Sequence, residues 1–174
     1  GLGGGSADAA YMLKGLNELF VLGLSDSRLE DYAARIGSDC AFFIRNSPAY
    51  AWSKGERMSS IDLNLNDYHL VLVKPDGGVA TSEAYAGITP CAATFDLREV
   101  PYYPVADWKG RVRNDFENTV NKKLPEINGI KERLEEAGAL YVSMTGSGSA
   151  IYALFNRKVE VKEFFPDYFT WQSE

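Results

Sequence analysis

The sequence predicts an α+β fold built from two units. Near the start of the chain, apolar residues recur every three or four positions, which indicates amphipathic helices. Further along, the elements follow the order strand, helix, strand, strand, helix, strand. That order is the ferredoxin-like pattern, a small antiparallel sheet with helices on one face. Because 45% of the 174 residues are hydrophobic, the chain can fill a core, and we expect it to be ordered.

Two helices and a hairpin are predicted for the first unit. The first helix covers residues 6–20, and the second has Ser25 or Ser27 as its N-cap. The second helix ends at Gly37, which we expect in the left-handed conformation. The alternating segment around residues 54–55 predicts a hairpin. The first helix places Ala9, Ala10, Leu13, Leu16 and Phe20 on one face, and the residues of the second that are expected to face inward are Leu29, Tyr32, Ala33 and Ile36.

The second unit begins near residues 62–67, so we divide the chain into domains 1–64 and 65–174. Its valine-rich opening predicts a buried strand, and residues 88–112 read as an irregular, proline-rich connection. In order, the predicted elements are a strand in YHLVLVKP, a helical stretch from NDFENTV, a helix over residues 124–137, strands in YVSM and AIYALF around the turn TGSGS, a helix in VEVKEFF and a strand in YFTWQ.

The composition excludes several classes of protein. There are 18 Lys and Arg residues against 24 Asp and Glu, and the net charge of −6 disfavours nucleic acid as a partner. No apolar run approaches the roughly 20 residues that cross a bilayer, so no membrane partner is expected. The chain has a single histidine, and its two cysteines are far apart, which gives a zinc site or a Cys/His pair little support. A reducing, cytoplasmic location fits best.

The first ten residues, GLGGGSADAA, predict a phosphate-binding turn. Glycines let the backbone approach a ligand closely, and the positive N-terminal end of the helix that follows favours an anion. The dinucleotide fingerprint fails because Ser6 stands at its last glycine, and no GK[ST] follows for a P-loop. A plain glycine-rich linker is the alternative, but linkers do not usually run directly into a periodic helix. Since the segment resembles the middle of a motif, we expect that the first residue is not the natural beginning.

Four segments in order resemble the motifs of the GHMP kinases, a family that phosphorylates small alcohols. They are GLGGGSADAA, GSDCAFF at residues 37–43, NDFEN and MTGSGSA, which together extend over nearly the whole chain. The resemblance implies an α+β GHMP kinase fold. Residues 1–64 would be the end of an N-terminal, ribosomal-S5-like, ATP-binding domain, and residues 65–174 a ferredoxin-like C-terminal domain. It also implies ATP and Mg²⁺ as cofactors and a small-molecule substrate.

The resemblance also implies roles for individual residues. Asp39 would be the general base, which takes the proton of the accepting hydroxyl, and partial desolvation beside Ala41 and Phe42 would raise its basicity. Thr81 would contact the substrate, and the hydroxyl of Ser6 would face the magnesium ion. The ATP phosphates would be bound by Gly1, Leu2, Gly3, Gly4, Gly5, Ser6 and Ala7 of the first segment and by Gly146, Ser147 and Gly148 of the last.

Purely structural interpretations of these residues remain open. Asp39 is alternatively a turn residue after the helix, and TGSGS is alternatively a simple hairpin turn. Glu117 of NDFEN is expected to be a structural carboxylate at a helix start. Cys40 is more plausible as a buried small residue than as a redox group.

The match also departs from the family. GHMP kinases have roughly another half-chain before the glycine segment, including a lysine that assists phosphoryl transfer. We therefore expect that a missing N-terminal segment of the same protein completes the active site and that these 174 residues alone are inactive. The alternatives are a GHMP kinase for a homoserine-type or mevalonate-type substrate and a non-catalytic binding remnant.

Overall fold

The structure, a computed structural model, describes all 174 residues. The chain divides into two compact units, Gly3–Leu63 and Asn64–Glu174, and the first two residues, Gly1–Leu2, belong to the latter. No helix is both long and apolar enough to span a membrane.

The first unit, Gly3–Leu63, contains three helices and a two-stranded sheet. In order, these are α1 (Gly4–Leu19), α2 (Asp26–Ile36), α3 (Phe42–Arg45), β1 (Ala49–Trp52) and β2 (Arg57–Ser60). The predicted hairpin is confirmed, since β1 pairs antiparallel with β2. Its turn passes through Ser53 and Gly55, both at positive φ. Ser25 is the N-cap of α2, where its hydroxyl accepts a hydrogen bond from Arg28 N.

Two expectations for the helices of this unit are wrong. The apolar face of α1 is covered only along part of its length, around Ala10, so Leu16 and Phe20 are exposed. Ile36 at the end of α2 is exposed as well. Gly37 has φ of −171°, which is extended rather than left-handed, because the chain leaves α2 directly into the turn closed by the bond from Cys40 N to Gly37 O.

The second unit is built on a four-stranded antiparallel sheet with the order β4-β5-β3-β6. Its helices α5 and α6 supply buried residues to the same core as the strands, including Val120 and Leu134. Short 3-10 turns occupy the proline-rich connection, as expected, at Leu97–Tyr102 and Val105–Asp107. The elements are β3 (His69–Lys74), α4 (Thr81–Ala86), α5 (Glu117–Lys123), α6 (Glu126–Glu136), β4 (Tyr141–Met144), β5 (Ile151–Phe155) and β6 (Phe169–Gln172).

The strand order is the ferredoxin-like one, but the predicted last helix is absent. The VEVKEFF segment forms turns instead, with bonds from Phe164 N to Val161 O and from Phe165 N to Lys162 O. Pro166 follows at once, and a proline disfavours the helical conformation of the residue before it. The segment still buries Val161 and Phe165, so it covers the core as a helix would.

Candidate active site

The N-terminus of α1 presents unused backbone donors. Its first intrahelical bond runs from Ala7 N to Gly3 O over 2.9 Å, which leaves the N–H groups of Gly4, Gly5 and Ser6 without a partner. No side chain caps them, and the first turn has no acidic residue. Asp8 lies beyond the first turn because the helix begins at Gly4. Three free donors at the positive end of a 16-residue helix form a suitable anion site.

Glycine occurs at the positions of this segment for different structural reasons. Gly3 has φ of +67°, and a Cβ added there would lie 3.0 Å from Phe43 Cζ, so this position needs glycine. Gly4 and Gly5 have ordinary φ values and nothing within 4 Å of an added Cβ. Neither packing nor backbone conformation requires glycine there, which leaves close approach by a ligand as the physical reason.

Asp39 lies in the turn that precedes α3. Its neighbours Cys40 and Ala41 are buried in the core of the first unit, as we expected for the cysteine, whereas Asp39 is exposed. The carboxylate has no hydrogen bond or ion pair, and its Oδ1 would lie 3.5 Å from a Cβ added at Gly55. The expected partial desolvation is therefore not found among these residues. The contact of Gly3 with Phe43 joins the glycine segment to the segment of Asp39.

In the second unit, the turn after β4 is closely packed against Gly1. Thr145 Oγ1 donates a hydrogen bond of 2.9 Å to Gly1 O. A Cβ added at Gly1 would lie 2.5 Å from Thr145 O, and one added at Gly146 would lie 3.1 Å from Gly1 O. The predicted loop therefore contacts the beginning of the glycine segment by its backbone; the close approach favours glycine at Gly1, and the φ of +55° favours it at Gly146.

Thr81 and Ser147, which were assigned to different ligands, lie side by side. Their hydroxyl oxygens are 3.3 Å apart, although 66 residues separate them in the sequence. Thr81 is the first residue of α4 and is exposed, while Ser147 is half-buried. Leu2 is exposed and, with Leu72 and Tyr152, borders a cavity of about 600 Å³ over the face of the sheet.

Two residues of the NDFEN segment have functions in the fold that the sequence did not specify. Asn114 Nδ2 donates to Met144 O and to Gly146 O, each over 2.8 Å. Glu117 begins α5, and its Oε1 accepts a 2.8 Å bond from Met144 N while its Oε2 lies 2.6 Å from Lys131 Nζ. The structural function expected of Glu117 is confirmed. The motif itself was visible in the sequence, but its contacts with Met144 and Gly146 join residues 27 to 32 positions apart.

Ser6 fits a magnesium ion only as an additional ligand. Its hydroxyl makes no hydrogen bond in the chain, and its own N–H is one of the three free groups at the start of α1. No group of three or more His, Cys, Asp or Glu side chains in the chain is arranged to hold a metal ion by itself. Magnesium commonly keeps several waters and binds through one or two protein ligands and substrate phosphates, so a single hydroxyl is compatible with a nucleotide-bound ion.

The chain belongs to the GHMP kinase family. Residues 1–47 match the GHMP kinases N terminal domain and residues 107–169 match GHMP kinases C terminal, so the two matches together cover more than half of the chain and contain all four motifs. Within this family, the chain is similar to 4-diphosphocytidyl-2-C-methyl-D-erythritol kinase.

Curated relatives include enzymes of that name. The one from Parabacteroides distasonis is 48% identical over 176 residues, which cover 100% of this chain and 65% of the relative. The one from Bacteroides thetaiotaomicron is 50% identical and covers 89% of this chain and 57% of the relative. The chain thus spans about two thirds or less of the length of these proteins.

Two solved structures are also similar. A crystal structure of 4-(cytidine 5'-diphospho)-2C-methyl-D-erythritol kinase matches with a TM-score of 0.78 and 25% identity, over 98% of this chain and 64% of that one. A homoserine kinase from Cytophaga hutchinsonii matches with a TM-score of 0.62 and 16% identity, over 91% of this chain and 61% of that one. The second likeness concerns the fold alone.

Proposed function

We propose that the protein containing this chain transfers the γ-phosphate of ATP to the 2-hydroxyl of 4-diphosphocytidyl-2-C-methyl-D-erythritol, in non-mevalonate isoprenoid precursor synthesis. Its relatives at 48% and 50% identity have the name of this kinase. The observation on which the proposal mainly rests is the N-terminus of α1, where three consecutive N–H groups are free and two glycines leave open space. Such a site is suited to the phosphates of ATP.

The ATP phosphates are assigned to the glycine segment and the loop after β4. The donors of Gly4, Gly5 and Ser6 are free, which supports this assignment, and Gly1 is hydrogen-bonded to the loop through Thr145. Phosphoryl transfer depends chiefly on positioning and charge stabilisation, which fixed backbone donors supply. We assign domain 1–64 to the end of the ATP-binding domain and domain 65–174 to the C-terminal domain. The division of the chain near residue 63 supports this assignment.

Asp39 is assigned as the general base. The accepting hydroxyl oxygen forms a bond to the γ-phosphorus, the bond from that phosphorus to the bridging oxygen of ADP breaks, and the hydroxyl proton passes to the Asp39 carboxylate. An exposed carboxylate with no partner in the chain is available to accept that proton. Thr81, beside Ser147 of the loop, is assigned to the substrate.

We assign the magnesium ion to the phosphate oxygens of ATP, with Ser6 as its protein ligand. When bound, the ion neutralises charge on the β- and γ-phosphates. The hydroxyl of Ser6 has no competing hydrogen bond, which supports its availability as a ligand. We also propose a cytoplasmic location, which is consistent with the two cysteines, since both are free thiols.

The test of this function is ADP formation by the full-length protein with ATP and the cytidine-linked substrate. Asp39→Asn should lower kcat by about a hundredfold or more, because general-base catalysis contributes about 10² to 10⁴. Asp62→Asn removes an exposed, unpaired carboxylate of the same unit and should leave kcat unchanged. Equal effects of the two substitutions would reject Asp39 as the base.

Alternative substrates are tested in the same assay. If homoserine or mevalonate is phosphorylated and the cytidine-linked substrate is not, the protein is still a GHMP kinase but the proposed acceptor is wrong. If ATP binds but no acceptor is phosphorylated by the folded protein, a non-catalytic binding function becomes the better conclusion.

A further inference from the structure

We infer that Asn114 is a positioning residue that fixes the Gly146–Ser147 peptide so that the Ser147 N–H faces the nucleotide phosphates. The inference rests on the proposed function, because the phosphates are assigned to this loop. Asn114 itself does not contact the ligand in this account. It acts through two backbone carbonyls of the segment that leads into and through the loop.

The side chain of Asn114 uses both donors and an acceptor. Nδ2 donates 2.8 Å bonds to Met144 O and Gly146 O, and Oδ1 accepts a 3.0 Å bond from Phe116 N. The last bond holds the amide in one orientation, with its NH₂ group toward the loop. The loop carbonyls are therefore bound by a side chain that is itself fixed.

The position of β4 in the sheet explains why side chains are needed to bind the backbone at the end of this strand. β4 is an edge strand, paired only with β5, so the polar groups on its other side have no strand partner. At Met144, the last residue of β4, Asn114 binds the carbonyl and Glu117 Oε1 binds the N–H. Residues of the NDFEN segment thus hold both backbone groups of the residue that enters the loop.

The bond to Gly146 O determines where the next N–H points. In a trans peptide the C=O and N–H groups point in opposite directions, so the Ser147 N–H is directed away from Asn114. That N–H has no hydrogen-bond partner in the structure. The Ser147 hydroxyl lies 3.3 Å from that of Thr81, so the side chain is held as well. A free, oriented donor beside Thr81 is what a phosphate oxygen requires.

Backbone hydrogen bonds close this turn without Asn114, so closing the turn does not explain the bond from Asn114 to Gly146. Gly148 N already donates to Thr145 O over 3.1 Å, and Thr145 N donates to Ala150 O over 2.9 Å. Gly146 has φ of +55°, and glycine rotates readily among backbone conformations. Asn114 removes that freedom from the peptide that carries the unpaired Ser147 N–H.

The experiment compares Asn114→Asp with Asn118→Asp in the full-length protein. Asn114→Asp retains an acceptor for Phe116 N but turns a carboxylate oxygen toward two carbonyls, so both loop bonds are lost. Asn118 is exposed and makes no hydrogen bond, and its substitution adds the same charge four residues away. If Asn114→Asp does not fold, Asn114→Ser, which retains one donor, replaces it.

Two measurements are made on each variant. The ¹⁵N order parameter of the Ser147 amide, without nucleotide, should fall in Asn114→Asp and stay unchanged in Asn118→Asp. The KM for ATP should rise about tenfold to a hundredfold in Asn114→Asp, the expected effect of losing a hydrogen bond to a charged group. The KM for the accepting alcohol should stay within twofold.

The outcomes separate this inference from the proposed function. An unchanged Ser147 order parameter, or an unchanged KM for ATP, overturns the inference. If the wild-type protein phosphorylates no acceptor, ATP is titrated while the Ser147 amide resonance is followed. If the resonance responds to ATP in the wild type and responds less in Asn114→Asp, the positioning function of Asn114 is retained and only the proposed acceptor is rejected. If the resonance does not respond in the wild type, the inference is overturned.

Discussion

Gly5→Ala should stabilise the protein and at the same time weaken its binding of ATP. Gly5 is the second residue of α1, has an ordinary helical φ and has nothing within 4 Å of an added Cβ. At such a position alanine stabilises by about 0.4–1 kcal/mol, chiefly by restricting the unfolded chain. For a chain of this size, the corresponding rise in Tm is about 1–4 °C.

The same methyl group would occupy the space through which a phosphate reaches the free N–H groups. Loss of one hydrogen bond to a charged group, about 1.5–3 kcal/mol, weakens ATP binding about 10- to 150-fold. Calorimetric titration of ATP and thermal unfolding of the full-length protein measure the two effects separately.

Gly15→Ala is the matched control. Gly15 lies in the middle of α1, is exposed and also has nothing within 4 Å of an added Cβ. It should give a similar or larger rise in Tm with no change in the Kd for ATP. If Gly5→Ala binds ATP as tightly as Gly15→Ala, the phosphates do not approach the N-terminus of α1, and the assignment of the glycine segment is wrong.

Two further predictions concern the second unit. Glu117→Gln should lower the free energy of unfolding by about 1–3 kcal/mol in urea titrations, because the half-buried Lys131 ammonium loses its carboxylate while Met144 N keeps an acceptor. Burial raises the pKa of Tyr152 above its ordinary value of 10, so the folded state retains the phenolic proton and stability falls as the pH rises above 10. Tyr152→Phe should reduce that fall, measured as the urea midpoint between pH 8 and 11.

Exposed residues of the same types are the controls. Glu132→Gln should leave the urea midpoint within about 0.5 kcal/mol of the wild type, since Glu132 is exposed and unpaired. Equal losses in Glu132→Gln and Glu117→Gln would contradict the account of the Glu117 contacts. Tyr102, with 84% exposure, is replaced by Phe for comparison at high pH. The account of Tyr152 is refuted if Tyr102→Phe and Tyr152→Phe have the same pH dependence.

Local patterns predicted most of the secondary structure, and their failures have local or tertiary causes. The periodicity of α1 identified the helix and its apolar face but not how much of that face is covered, and Leu16 and Phe20 are exposed. Gly37 was expected to be left-handed, yet the turn to Cys40 makes it extended. In VEVKEFF, the effect of Pro166 on the residue before it outweighed the apolar spacing.

The sequence by itself determined the class of chemistry. A glycine run that continues into a helix supplies free backbone donors wherever the chain folds, and the resemblance of four motifs in order pointed to the kinase family. Tertiary structure alone decided that Asp39 is exposed, that Thr81 lies beside Ser147 and that Asn114 holds the loop 30 residues away. These contacts depend on strand order and on which edge of the sheet lacks a partner, and no local spacing in the chain specifies either.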